Sequence, residues 1–275
     1  MIVFAGIPSS LDSWKTSEVS WDTCLSQCWY DEDCKIVFQS TSSCYAFQRE
    51  NITIQTSTDE VNRVAVKIPS DPTDCLPKPS DFFNQTFTET NNKSQIIRSE
   101  FSYSNGQYRV VYTVSKCPNA TDLYTRTVGA KTYHVCVGFR LFEGRIGTFY
   151  DAQKLCKEDG GYGLTGPLDD NEYAIFKDKG LALRKVNGQD KGGYFWIDGF
   201  SNQTKYVFLY EDESHNGATG YPIHPQNQYK NPPTGYFMLF PGKEDVMGDY
   251  EAEKSWFVNY YFIGALCRVN DVPQD

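Results

Sequence analysis

The stretch TFYDAQKLCKEDGGYGLTGPLDDNE, residues 148–172, decides the fold, because it predicts a helix, a glycine-rich turn and the start of a second helix. Thr148 is a good N-cap, and Asp151 three residues later is a capping-box-like partner near the positive end of the helix dipole. Apolar residues recur at helical spacing as far as Cys156, so this cysteine is predicted to point inward. The glycine pair at 160–161 supplies the left-handed residue that ends a helix.

A second capped helix and two apolar strands follow this stretch. Asp169 and Glu172 repeat the capping pattern, and the runs YFWIDGF at 194–200 and FIGALC at 262–267 are typical of buried strands. The order of a helix cysteine, a glycine-rich turn, a Glu opening the second helix, WIDG and the closing cysteine strand resembles the C-type lectin-like domain.

The resemblance covers residues 117–270 and implies two disulfides. In that family the cysteine of the first helix pairs with the cysteine of the last strand, which implies a bridge from Cys156 to Cys267. The first strand of the family often carries an extra pair, which here would join Cys117 to Cys136.

The N-terminal part of the chain carries four more cysteines, spaced C-x3-C-x5-C-x9-C from residue 24 to residue 44. A helix is predicted over 19–30 with two of these cysteines on one face, and strand-like runs follow at 35–39, 44–47 and 61–68. Residues 1–68 resemble the PAN or apple-like module of the CW type. In that family the inner and outer cysteines pair, which implies bridges Cys28–Cys34 and Cys24–Cys44.

The four N-terminal cysteines have an alternative role to disulfides. The four N-terminal cysteines would be a zinc site if reduced, but they lack the paired-knuckle spacing of structural zinc modules, which favours disulfides.

Residues 69–116 are predicted to be a proline-rich linker with a lead-in strand near 108–114. The linker contains Cys75, the odd cysteine, which either bridges to a partner chain or remains a free thiol. The sequence thus predicts an α+β chain, with a disulfide-stapled PAN/apple-like module followed by a C-type lectin-like fold.

The composition describes an acidic, globular chain. It has 275 residues, of which 40% are hydrophobic and 15% aromatic, enough for about two domains. Lys and Arg number 26 against 35 Asp and Glu, for a formal net charge of −9. An acidic chain without a basic cluster repels phosphate backbones, so we expect no nucleic-acid partner. No run approaches the ~18–20 apolar residues that span a bilayer, so we expect no membrane span.

The cysteines and sequons predict an extracellular, secreted glycoprotein. Nine cysteines without a CxxC pair favour disulfides in an oxidising compartment. Five Asn-x-Ser/Thr sequons agree, at Asn51, Asn84, Asn92, Asn119 and Asn202. The opening MIVFA has neither the basic n-region nor the apolar h-region of a signal peptide, so the leader is expected to be removed or absent.

The long polar loop EDESHNGATGYPIHPQNQYKNPPTG, residues 211–235, is where such a scaffold would carry variable function. Sugar-binding members of the family carry a Glu-Pro-Asn or Gln-Pro-Asp triplet here and a Trp-Asn-Asp triplet on a later strand, and these oxygens ligate Ca²⁺. In this chain the triplets YPI, HPQ and NPP offer no carboxylate, and WFVN at 256–259 keeps a Trp and a displaced Asn. We therefore expect no cofactor and no metal at the usual site.

Aromatic and amide side chains on this loop and the adjoining strand are the candidate ligand contacts, because rings stack on sugars or partner side chains. They are Asn227, Tyr229, Asn231, Trp256 and Asn259. The acidic run at 211–213 and the two histidines of the loop, His215 and His224, are expected to be solvated surface groups.

No sequence motif marks a catalytic site. None of the three His stands in a nucleophile-elbow or HExxH context, and neither a P-loop nor GxGxxG occurs, so we expect no enzyme. Two hypotheses remain, a secreted lectin that recognises glycans and an interaction protein that binds extracellular proteins. The missing triplets favour recognition without the usual calcium site, and a calcium-dependent lectin is the alternative.

Overall fold

The computed structural model describes residues 1–11, 15–49, 51–68, 84–144, 146–186, 193–201, 208–215, 217, 233–238, 247–257 and 260–274. The chain divides into two compact units. Unit 1 is Met1–Ser115 with Pro273–Asp275, and unit 2 is Lys116–Val272. No helix in the described part of the chain is long and apolar enough to cross a membrane.

In its described residues, unit 1 is a sheet with one α-helix. The helix is Trp21–Tyr30 (α1), and the strands are Ile2–Pro8 (β1), Lys15–Ser17 (β2), Ile36–Ser40 (β3), Ser43–Phe47 (β4), Ile52–Thr56 (β5), Arg63–Val66 (β6), Gln85–Thr90 (β7), Gln95–Ser104 (β8) and Gln107–Lys116 (β9). Their order in the sheet is β2-β4-β3-β6-β1-β5-β9-β8-β7. The described pairings among these strands are antiparallel.

Strand β1 changes partner along its length and so joins the two halves of this sheet. Residues 2–5 pair with β6, and residues 6–8 pair with β5. At the change-over a Cβ on Gly6 would lie 2.7 Å from Ile54 Cγ2, so the glycine permits the close approach of the two strands.

Two disulfides fasten α1 to the sheet. They join Cys24 to Cys44 and Cys28 to Cys34, the pairs that the resemblance implies. All four cysteines are buried, and they pack with Val37 and Ala65 in a small core beneath the helix.

The linker expected over 69–116 is only partly a linker, because β7, β8 and most of β9 belong to unit 1. Polar residues make this stretch look unstructured, yet β8 buries Ile97, Ser99 and Phe101 on one face by the period of two of a strand. These residues complete the core that β3, β5 and β6 begin. Residues 69–83, with Cys75, lie outside the described part of the chain.

Unit 2 packs two helices against a second sheet. Its strands are Asp122–Val128 (β10), Lys131–Leu141 (β11), Gly163–Leu164 (β12), Gly193–Ser201 (β13), Thr234–Met238 (β14), Met247–Glu251 (β15), Trp256–Phe257 (β16) and Tyr260–Val269 (β17), and Val272–Pro273 (β18) ends the chain's strands. The helices are Phe149–Lys157 (α2) and Asp170–Val186 (α3). The sheet runs β10-β11-β17-β13-β14-β15, with β12 and β16 also on β17.

The parallel pairing of β13 with β17 forms the centre of unit 2. Trp196 on β13 is fully buried, its ring stacks on Phe262 of β17 at 3.8 Å between centroids, and its Nε1–H donates to Gly147 O at 3.0 Å. Strands thus dominate both units, and the described residues form three α-helices. This mostly β architecture with few helices fits the expected α+β class in broad terms.

The stretch that decides the fold forms as its sequence predicts. Thr148 caps α2 through a full capping box, in which Asp151 N–H donates to Thr148 Oγ1 at 3.2 Å and Thr148 N–H donates to the Asp151 carboxylate at 2.9 Å. Gly160 has the left-handed φ of +74° after the helix. Cys156 is fully buried and joins Cys267 on β17, and Cys117 joins Cys136, again the pairs that the resemblance implies.

Candidate functional site

The long loop of unit 2 starts from a buried polar network, and its first anchor is Asp198 on β13. This aspartate is 3% exposed. Its carboxylate accepts hydrogen bonds from the backbone N–H of Glu211 at 3.1 Å and of Asp212 at 2.8 Å, and it contacts the His215 ring at 3.1 Å. A side chain of the central strand therefore fixes the first five residues of the loop.

Asp212 is the second anchor, and protein donors occupy both of its oxygens. Oδ1 accepts from Ser214 N–H at 2.9 Å and from Arg268 Nη1 at 2.7 Å. Oδ2 accepts from the hydroxyls of Thr165 and Ser214. Burial raises the pKa of Asp212, but the hydrogen bond from Thr165 and the positive charge of Arg268 outweigh it, so the pKa lies below the ordinary 3.8.

Arg126 on β10 closes the network from beneath. It is fully buried, and each of its N–H groups has an acceptor: both oxygens of Glu172, the hydroxyls of Thr165 and Ser214, and Gly166 O. The hydroxyls of Thr165 and Ser214 accept hydrogen bonds from Arg126 and donate hydrogen bonds to Asp212. They therefore link the buried cation to the buried carboxylate. Sequence reasoning missed Arg126, whose partners lie 39 to 88 residues away along the chain.

His215 is buried, which corrects the expectation of a surface histidine. It is 5% exposed, and its Nδ1 lies 3.0 Å from the backbone N–H of Gly217. Since Nδ1 must accept there, the proton of the neutral ring is assigned to Nε2, which donates to Asp198. The second histidine of the loop, His224, lies outside the described residues.

Aromatic rings connect the residues just before the loop with strand β14. Phe208 stacks on Tyr236 of β14 with centroids 3.9 Å apart, and Tyr210 lies 6.2 Å from the same ring. Tyr210 also makes an edge contact with His215 at 5.6 Å. Gly199 makes room for this set, because it has φ +136° and a Cβ there would lie 2.1 Å from Tyr236 Cδ2.

The other two acids of the predicted acidic run lie at the surface and face lysines. Glu211 contacts Lys157 Nζ at 3.2 Å and accepts from Gln153 Nε2 at 3.2 Å, and Glu213 lies 3.9 Å from Lys131. Only Asp212 departs from the predicted solvated character. Among the residues that the structure describes, no group of three or more His, Cys, Asp or Glu is placed to hold a metal ion.

Most of the predicted ligand contacts are not described. Trp256 lies in β16, whose backbone pairs with β17. Outside the described residues lie Asn227, Tyr229, Asn231 and Asn259. The described sequon residues are exposed, at Asn51, Asn84, Asn92 and Asn119, whereas Asn202 is outside the described part.

Comparison with known proteins gives one family match and likenesses to solved structures, of which two are named here. Residues 1–68 match the family of the PAN-like domain. Human lithostathine is 16% identical, with 56% of this chain and 90% of that chain covered at a TM-score of 0.39. The EPNH mutant of CEL-I is also 16% identical, with 56% of this chain and 96% of that chain covered at a TM-score of 0.39. No curated protein matches the chain.

Proposed function

We propose that this chain is an extracellular recognition protein whose unit 2 binds a glycan or a protein ligand at the 211–235 loop, without the usual calcium site. The observation that supports the proposal is the anchored start of the loop. Asp198 and Asp212 together accept seven hydrogen bonds from six residues of the loop and of the core. A loop that begins from a rigid base can present side chains with little loss of conformational entropy on binding.

The contacts of the described carboxylates support the proposed independence from calcium. Ca²⁺ takes about six to eight oxygen ligands, and Asp212 has both oxygens filled by donors that a cation would have to displace. Glu211 is paired with Lys157, so a cation there would compete with a charge already present. The proposal therefore needs no metal and no cofactor, and it contains no catalytic step.

The ligand contacts in this proposal come from the sequence. Tyr229 supplies a ring for stacking, and Asn227 and Asn231 supply amides that donate to and accept from hydroxyl or peptide groups. Trp256 and Asn259 follow this loop in the sequence and are the remaining candidate contacts. Leu209 and Tyr210, which directly precede the loop, are 66% and 38% exposed and are further apolar and aromatic groups open to a ligand.

The proposed compartment is extracellular. Each unit contains two disulfides, and such bridges persist in oxidising compartments. The exposed sequon residues are accessible to glycosylation. Cys75 is left as a free thiol or as an intermolecular bridge to a partner chain.

A glycan array read with calcium and with chelator tests this proposal. We expect glycan signal that chelator leaves unchanged and that Tyr229→Ala and Asn231→Ala each reduce about tenfold. Tyr30→Ala, a highly exposed tyrosine of unit 1, is the matched control and should keep the signal. Signal that disappears on chelation would contradict the calcium-free mode, and an array without signal would leave a protein as the ligand.

A further inference from the structure

Both ring nitrogens of the buried His215 are engaged by groups of the protein. Nε2 lies 3.1 Å from Asp198 Oδ2, and Nδ1 lies 3.0 Å from the backbone nitrogen of Gly217. A backbone N–H can only donate a hydrogen bond, so the Gly217 contact needs a lone pair on Nδ1. An imidazolium ring carries a proton on each nitrogen and has no such lone pair. Protonation of His215 and its hydrogen bond from Gly217 are therefore mutually exclusive.

The surroundings of Gly217 leave little room to adjust to such a proton. Gly217 is buried with a left-handed φ of +66°, and a Cβ there would lie 2.6 Å from ring atoms of Tyr210. The Tyr210 ring also makes the edge contact with His215, at 5.6 Å between centroids. A proton on Nδ1 would set two buried donors against each other, which is unfavourable. The ring and the backbone at Gly217 must then move apart.

Charged groups face the ring from the strand below and from the loop itself. Asp198 on β13 contacts Nε2 directly, and the carboxylate of Asp212 interacts with the ring through its charge. Arg126 and Arg268 pair with Asp212 and offset part of that charge. The two carboxylates attract an imidazolium, whereas burial and the Gly217 donor oppose it. The proton can thus be accepted at this site, and the hydrogen bond from Gly217 is the contact that it breaks.

We propose that protonation of His215 is an acid-sensitive switch that releases Gly217 and loosens the described start of the loop, residues 211–215 and 217. Imidazole is the side chain that ordinarily changes charge between about pH 5 and pH 8, so the switch would operate in mild acid. The proton adds at Nδ1, and the contact of Nε2–H with Asp198 becomes an ion pair. As a control of ligand binding the switch rests on the function proposed above, because the loop would then start from a less rigid base.

NMR on the full chain without any ligand tests the switch itself. The ring nitrogens of His215 and the amide of Gly217 are followed from about pH 7.5 to about pH 5. We expect Nδ1 to gain its proton in this range, the Gly217 amide resonance to move with the same midpoint, and its protection against hydrogen exchange to fall about tenfold. A ring that stays neutral at the acid end, or one that titrates without effect on Gly217, would overturn the proposal.

One variant keeps the acceptor and removes the titration. In His215→Asn the amide oxygen can take the place of Nδ1 and accept from Gly217 at any pH in this range, so the protection of Gly217 should no longer depend on pH. The matched control is His134→Asn, at a histidine of β11 whose Nδ1 lies 3.0 Å from Thr125 Oγ1, and it should leave the response of Gly217 unchanged. A response that persists in His215→Asn, or one that disappears in His134→Asn, would refute the role of His215.

The glycan array read at both ends of the titration separates the switch from the proposed function. We expect glycan signal to fall about tenfold in the acid for the wild type and to stay constant for His215→Asn. Equal signal at both pH values would overturn the control of binding by His215. An array without signal at either pH would speak against the glycan ligand alone, and the NMR titration of the free chain would still decide whether the switch exists.

Discussion

The ring of His215 and the carboxylate of Asp198 form a buried pair, with Nε2 and Oδ2 3.1 Å apart, that holds the start of a long loop to the central strand of unit 2. Asp198 also accepts from two backbone N–H groups, and an asparagine in its place keeps one oxygen but turns the other into an NH₂ donor, so at least one of the three donors loses its acceptor. We expect Asp198→Asn to lower the free energy of unfolding of unit 2 by about 2–4 kcal/mol, measured by urea denaturation. Glu213→Gln, at an exposed acid, should change it by less than about 0.5 kcal/mol, and equal effects would contradict the anchoring role.

Arg126 should behave as a buried cation whose partners depend on it. Arg126→Met leaves Glu172 and Asp212 buried with fewer donors, so we expect a loss of about 3–5 kcal/mol by the same measurement. Adding Glu172→Leu should recover part of that loss, since the uncompensated charge is then removed. The control is Lys131→Met, whose exposed ion pair to Glu213 spans 3.9 Å and should be worth less than about 1 kcal/mol. Strictly additive effects of Arg126→Met and Glu172→Leu would speak against the coupling.

Asp212 should make stability depend on pH on the acid side. Its pKa in the folded protein is below the ordinary 3.8, so its contribution is present above that value and is lost as the pH falls through the folded pKa. We expect the difference in free energy of unfolding between the wild type and Asp212→Asn to be constant from pH 7 to about pH 5 and to narrow below about pH 4. Denaturation at stepped pH measures it, and a difference that stays constant down to pH 3 would contradict the assignment.

Gly199 should resist substitution because of both its φ and its neighbour. Gly199→Ala would strain a backbone at φ +136° and push a methyl group against Tyr236, so we expect a loss of about 2–4 kcal/mol in a thermal or urea melt. Gly144 is the matched control, since a Cβ there meets nothing within 4 Å and Gly144→Ala should be close to neutral. A neutral Gly199→Ala would show that the ring of Tyr236 moves away freely.

Local signals explain how much of the fold the sequence predicts. The capping box of Thr148 and Asp151 involves residues only three apart, so the sequence alone predicts α2. The order of the cysteines resembles two families, and these resemblances imply the four disulfides. Strand β8 was not predicted, because its buried Ile97 and Phe101 alternate with polar residues in a stretch that resembles a linker.

The base of the candidate site was beyond the sequence for a different reason. Arg126 and Glu172 are 46 residues apart, and a lone charged residue in a sequence resembles a solvated one. The position of Asp198 in the WIDG strand was the available signal, since a carboxylate in an apolar run needs donors once it is buried. Which donors it finds depends on the tertiary fold, and the adjacent run at 211–213 gives no indication that its middle acid turns inward.

The melting temperature of the full chain with and without calcium tests the central claim most directly. A site with the ligands of calcium-dependent lectins would gain roughly 2.7 kcal/mol at a calcium concentration a hundredfold above its Kd. Because protein donors fill both oxygens of Asp212, we predict no resolvable shift between millimolar Ca²⁺ and chelator, while glycan or protein binding persists. A shift of several degrees that chelator reverses, together with binding lost on chelation, would contradict the account and identify a calcium-dependent lectin.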